Sequence, residues 1–263
     1  MADAGDRALF DVRGLTHRYH RSSPVAALDD ASLTVREGRS MGIVGESGSG
    51  KTTLTRAMLG LLRPTSGTVV YRGQPVPIGR GRGSRAFRGR VQLVLQDPYS
   101  ALNPRMTVGD IIGEPLQVQQ PRRDHSGRVA ELLTAVELDP DLARRRPHQL
   151  SGGQRQRVAI ARALGPRPEV VIADEPVSAR DVSVRRNVLR LLRRLVEHER
   201  LTLVVVSHDL GIVQRLCSDV VVMQSGRVIE RGATSDVLDD PRHPYTRDLI
   251  ASIPPLPERR ANP

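Results

Sequence analysis

The chain's only lysine, Lys51, sits in Gly45-Glu46-Ser47-Gly48-Ser49-Gly50-Lys51-Thr52, a segment with the spacing of a phosphate-binding P-loop. Met41 to Val44 before it are apolar and read as a short buried strand; Thr53 to Leu62 after it have helical spacing and stop near Pro64. Strand, glycine loop and helix form the context that such a loop requires. Its glycines let backbone N–H groups turn toward a polyphosphate at the positive end of the helix. Lys51 reaches the terminal phosphates as a compact charge, where arginine's wide fork would not fit. Thr52 offers its hydroxyl to Mg²⁺. The expected nucleotide set is Gly45, Glu46, Ser47, Gly48, Ser49, Gly50, Lys51, Thr52 and Thr53.

A second element is Val170-Val171-Ile172-Ala173-Asp174-Glu175-Pro176. Four apolar residues ending in two acids predict a buried parallel strand with carboxylates at its carboxyl end, where open α/β sheets place their ligands. Asp174 suits the Mg²⁺ that Thr52 also touches. Glu175, one residue on, is directed elsewhere and can orient or deprotonate an attacking water.

Between the two lies Leu150-Ser151-Gly152-Gly153-Gln154, followed by a helical run through Ala163. Ser151 is a good N-cap, and with the glycine N–H groups it makes another anion site at a helix start. With all three motifs in this order the chain resembles the ABC ATPase family across roughly Leu9 to Pro255. The resemblance implies an α/β fold: a P-loop NTPase core sheet, an antiparallel β layer and an inserted α-helical subdomain. It also implies that Ser151, Gly152, Gly153 and Gln154 close over ATP held by a second ABC ATPase subunit in a head-to-tail dimer.

Further roles follow by resemblance, residue by residue. Gln96 matches the Q-loop glutamine that contacts Mg²⁺ or water, His208 the switch histidine that bonds the γ-phosphate, and Asp181 the aspartate linking the two sites. Tyr19 stands where the family stacks an aromatic ring on adenine. Catalysis is thus expected from Glu175, His208, Gln96 and Lys51, and metal binding from Thr52, Gln96 and Asp174. In Ser178-Ala179-Arg180-Asp181 an arginine replaces the family's leucine; a guanidinium there must reach water or an acceptor, which a companion ATPase could supply.

Gln96 to Met106 and His243-Pro244-Tyr245-Thr246-Arg247 are similar to oligopeptide, dipeptide and nickel importers, and Leu61 to Gly67, with Pro64-Thr65-Ser66-Gly67, is closer to the second ATPase of such systems. That implies two transmembrane permease subunits, a second ATPase and an extracytoplasmic solute-binding protein as partners, at the cytoplasmic face of the membrane.

The elements that position these residues can be placed by pattern. Residues 9–96 should form the β layer and P-loop core, 97–150 the helical subdomain, 151–240 the remainder of the core and 241–263 a partly disordered extension. Helices are expected at Val108 to Val118, at Gly127 to Glu137, and at Val184 to Val196 with Val184, Val188, Leu191, Leu192 and Leu195 on one face. Pro75 to Gly89, rich in Gly and Arg without periodicity, reads as an exposed loop. The 263 residues include two Phe, four Tyr and no Trp, so the core is aliphatic. A net charge of +11 raises nucleic-acid binding, but the arginines are scattered and lack aromatic interleaving. The expectation is therefore no nucleic-acid partner. The lone Cys217 follows an apolar run and reads as a small buried hydrophobe.

Overall fold

The computed structural model describes residues 7–20, 25–95, 97, 102–121, 123–176, 182–199 and 201–252. Strands β1 (Ala8–His17) and β2 (Leu28–Arg36), with β4 (Ser66–Tyr71) and β5 (Gln74–Pro75), form an antiparallel sheet in the order β2-β1-β4-β5. The second sheet joins β3 (Met41–Val44), β6 (Val91–Val94), β7 (Val170–Asp174), β8 (Thr202–Ser207), β9 (Asp219–Gln224) and β10 (Arg227–Ala233). Its order is β10-β9-β3-β8-β7-β6, parallel throughout except for the antiparallel edge strand β10.

Continuous runs of branched apolar residues suit a parallel sheet because both faces are covered. Side chains alternate between the faces. Val170, Ile172, Val204 and Val206 enter one apolar cluster; Val171, Ala173, Leu203 and Val205 enter the other. The first cluster also contains the antiparallel sheet and helix α1 (Lys51–Met58), which buries Leu54, Ala57 and Met58 between the two sheets. Fully burying Leu54 and Met58 contributes about 1.5–3 kcal/mol each, enough to fix the helix that carries the glycine loop.

Two expectations change here. Residues 75–89 are not loop throughout: 76–81 lie outside any helix or strand, but Arg82–Arg90 form helix α2, with Ser84 and Phe87 buried. Phe87 stacks edge-on against Tyr71 at 5.3 Å and Phe10 at 6.4 Å. This long-range aromatic contact holds a helix whose own sequence has little apolar periodicity. The P-loop helix also ends at Met58 rather than Leu62. Gly60 turns the chain at φ +65°, and a Cβ there would meet the Pro77 carbonyl oxygen at 2.4 Å.

Helices α3 (Val108–Gln119) and α4 (Ser126–Ala135) pack on α5 (Gly152–Leu164), which with α6 (Val182–Glu199) and α7 (Leu210–Leu216) covers the other face of the parallel sheet; all five share one apolar cluster with it. The first two match the expected helices of residues 97–150; α3 begins with a Thr107–Asp110 capping box. Val188, Leu191, Leu192 and Leu195 of α6 are buried as expected, and Leu189 with them. The chain continues through α8 (Thr234–Asp239) and α9 (Pro244–Ala251). Cys217 is buried, and burial pushes its thiol well above the usual range. Among the described residues no helix is long and apolar enough to cross a membrane.

Candidate functional site

Strand register brings the site together. Val44 pairs with Ser207 and Asp174 with Val206, so β3, β7 and β8 end at one level. The residues that follow them leave the sheet along a single carboxyl edge, the usual ligand position in α/β sheets. There Glu46, Ser47, Gly48, Gly50, Lys51, Thr52 and Thr53 line an open cleft of about 810 Å³ with Tyr19, Ala27, Asp174, Glu175, His208, Leu249 and Ser252.

The P-loop's glycines are required at two positions. Gly45 has φ +151°, and a Cβ would lie 2.2 Å from the Met223 carbonyl oxygen; Gly50 has φ +102°, with the Ala27 carbonyl oxygen 2.6 Å from where its Cβ would be. Gly226 N–H donates to the Ser49 carbonyl at 3.0 Å and buttresses the loop from the β9–β10 turn. Inside it, Lys51 Nζ donates to the Gly45 and Glu46 carbonyls at 2.6 and 2.7 Å. Burial holds its ammonium below the usual lysine range, against the upward pull of Glu175, Asp174 and Glu46. Tyr19 is 54% exposed, with its ring edge-on to His17 and its hydroxyl 3.2 Å from Thr53 Oγ1. One wall of the cleft is therefore an aromatic ring.

Asp174 is half-buried. Burial raises its carboxyl above the usual range and Glu175 adds to this, while Lys51 and Arg56 pull it down. Glu175 has φ +46°, a left-handed conformation that costs about 1 kcal/mol or more outside glycine and clusters at functional sites. Its N–H donates to the Val206 carbonyl at 2.8 Å, which turns the side chain toward the loop after β8. There its carboxylate accepts from His208 N–H at 2.9 Å and Ser207 Oγ at 3.1 Å, and His208 Nδ1 lies 2.6 Å away. A carboxylate, an imidazole and an ammonium thus face one cleft, with Thr52 exposed beside them.

Three supporting residues lie outside the expected set. Ser207, fully buried, holds Glu175. Asp209 caps α7 through Gly211 and Ile212 N–H and pairs with Arg185, fixing the segment after His208. Gln156, buried on α5, donates to the Pro176 carbonyl at 2.8 Å. Asp209 could have been found as an N-cap before an apolar helix; the other two carry no local signal.

Ser151 and Gln154 form a capping box at the start of α5, with Gln154 N–H to Ser151 Oγ at 3.3 Å and Ser151 N–H to Gln154 Oε1 at 2.9 Å. Ser151 and Gly152 are exposed, and neither they nor Gly153 and Gln154 line the cleft. Gln96, Arg180 and Asp181 lie outside the described residues.

Residues 28–178 match the ABC transporter family, and residues 229–262 match the oligopeptide/dipeptide transporter C-terminal region. The chain belongs to the ABC transporter family. A protein of Brucella ovis named as a peptide import ATP-binding protein is 44% identical over 96% of this chain and 81% of its own length. A Bacillus subtilis protein named for oligopeptide transport is 45% identical over 89% of this chain and 72% of its own. Among solved structures, Clostridium perfringens cbiO1, part of the ABC transporter complex cbiONQ, superposes with a TM-score of 0.79 at 29% identity, covering 89% and 92% of the two chains. The dimeric ATP-binding cassette MJ0796 in a post-hydrolysis state with ADP and Pi gives 0.76 at 29%, covering 86% and 98%. The expected fold, an α/β ABC ATPase cassette, is therefore the fold observed.

Proposed function

We propose that this chain binds and hydrolyses ATP to energise import of di- or oligopeptides through a membrane ABC transporter. The observation that carries the reading is the cleft itself, where Lys51, Asp174, Glu175 and His208 meet at the carboxyl edge of the sheet. The similarity to peptide-import proteins at 44–45% identity, and the oligopeptide/dipeptide match at 229–262, support peptides over nickel.

The residues fit a Mg²⁺-nucleotide. Lys51 already holds two carbonyl oxygens, so it can exchange them for phosphate oxygens. Burial, with Glu175 adding to it, holds the Asp174 carboxyl above its usual range, and a bound cation would favour its ionised form. Among the described residues no three His, Cys, Asp or Glu side chains gather into a metal cage. That suits an ion held by Thr52 and Asp174 together with phosphates and water. Bound Mg²⁺ would neutralise charge developing on the transferred phosphoryl group. Gln96 would join this set. Glu175 orients the attacking water and accepts its proton, held ready by Ser207 and His208. Tyr19 offers its ring to the base.

The signature segment, with Ser151 and Gly152 exposed and Ser151 to Gln154 away from its own cleft, suits closure over a nucleotide on a second ATPase, with Asp181 between the sites. Two permease subunits and a solute-binding protein complete the assembly at the cytoplasmic face of the membrane. Residues 9–96, 97–150, 151–240 and 241–263 act as β layer with P-loop core, helical subdomain, remaining core and extension. Co-purification from cells tests this reading: the tagged chain should bring down hydrophobic permease subunits and a second ATPase. Recovery of the chain alone, with no nucleotide hydrolysis under any pairing, would count against it.

A further inference from the structure

The C-terminal helix reaches the P-loop through one side chain. Tyr245, in the first turn of α9, accepts a hydrogen bond from Glu46 N–H at 3.0 Å. The same peptide unit presents the Gly45 carbonyl to Lys51 Nζ at 2.6 Å. One peptide plane therefore links the Tyr245 hydroxyl to the Lys51 ammonium, and hydrogen bonds in such a chain polarise one another.

Packing braces one end of this peptide, and the Tyr245 hydroxyl holds its N–H end. Gly45 packs so closely on the Met223 carbonyl that no Cβ would fit. The helix bearing Tyr245 is equally fixed. Thr246 and Leu249 are buried, and Glu230 accepts from the Arg242 and His243 N–H groups at 2.8 and 3.1 Å. His243 Nδ1 caps the helix by accepting from Tyr245 N–H at 3.2 Å. Leu249 and Ser252, farther along, reach the cleft itself.

We propose that Tyr245 is a positioning residue for nucleotide binding: its hydroxyl fixes the Gly45–Glu46 peptide and so sets where Lys51 rests before it moves to a phosphate. The C-terminal region thereby tunes affinity for the nucleotide. This rests on reading the cleft as an ATP site.

Tyr245→Phe keeps the ring and removes only the hydroxyl. In the full chain, the Mg-ATP dissociation constant should rise about three- to tenfold, the range expected for one hydrogen bond. In the nucleotide-free protein, acylation of Lys51 relative to the terminal amine should also change, because its resting partner has loosened. A residue that only packs the helix would lower the unfolding temperature and leave both quantities alone. A dissociation constant within twofold of wild type overturns the proposal, whatever the melting temperature. Lys51→Ala is titrated alongside. If wild type binds ATP and Lys51→Ala does not, the site reading stands and Tyr245 alone is judged; if neither binds, the site reading itself fails.

Discussion

Replacing Glu175 by glutamine removes a charge while keeping shape. The carboxylate accepts from His208 N–H, Ser207 Oγ and the neighbouring His208 Nδ1. A glutamine can keep its oxygen toward His208 N–H and turn its amide to Ser207, whose hydroxyl can accept. The fold and the loop after β8 should survive, with little change in melting temperature. The base is lost, however: an amide takes no proton from water. General-base catalysis contributes about 10²–10⁴ in rate, so turnover should fall at least ~100-fold, roughly 2.7 kcal/mol of barrier. Binding should behave oppositely. Glu175 raises the Asp174 carboxyl, and removing that charge eases ionisation of Asp174. Mg-ATP should therefore bind at least as tightly, and the closed dimer should persist. Phosphate release by the complete complex measures turnover, and equilibrium titration measures affinity. Steady-state hydrolysis near wild type would refute the assignment of Glu175.

Lys51 is the only lysine, so an amine reagent has two kinds of target; saturating Mg-ATP should shield Lys51 and spare the terminal amine, and equal labelling with and without nucleotide would count against the P-loop assignment. Gly152→Ala places a Cβ with nothing within 4 Å, so the isolated chain should melt as wild type does. If the signature closes on a partner's nucleotide, turnover of the assembled complex should still fall by about tenfold or more, as a misplaced site does; full turnover would argue against that closure. Burial raises the Glu230 carboxyl, but hydrogen bonds including those from Arg242 and His243 N–H outweigh it and hold the carboxyl below the usual range. A depressed carboxyl contributes stability above its unfolded pKa and loses it as pH falls through the folded value. Hydrogen exchange of residues 242–251 should therefore accelerate, beyond the intrinsic rate, below the usual carboxylate range. Glu230→Gln should show faster exchange already at neutral pH, and a pH-independent pattern in wild type would contradict the role of Glu230.

The glycine loop and the acidic strand end were legible because each carries its chemistry in contiguous residues, with strand and helix beside it. Parallel strands could be read from unbroken apolar runs, since both faces of such a sheet are covered. What remained hidden depends on distant contacts. Phe87 makes a helix out of a Gly- and Arg-rich segment only by meeting Phe10 and Tyr71. The contact between Tyr245 and Glu46 spans 199 positions of chain, and no local pattern predicts it. In the sequence Tyr245 belongs to the His243-to-Arg247 segment that resembles the peptide and nickel importers, and nothing beside it points to the P-loop. Ser207 was invisible for a related reason: a serine ending a strand is ordinary until Glu175 turns toward it at φ +46°.

ATP-driven peptide uptake is the decisive measurement. The chain would be reconstituted in proteoliposomes with its permeases, companion ATPase and binding protein, and labelled peptide followed into the lumen. Uptake should require Mg-ATP on the side bearing this subunit and should stop with Lys51→Ala or Glu175→Gln. Peptide accumulation that continues unchanged in both variants, or ATP hydrolysis at full rate with no peptide moved, would contradict it.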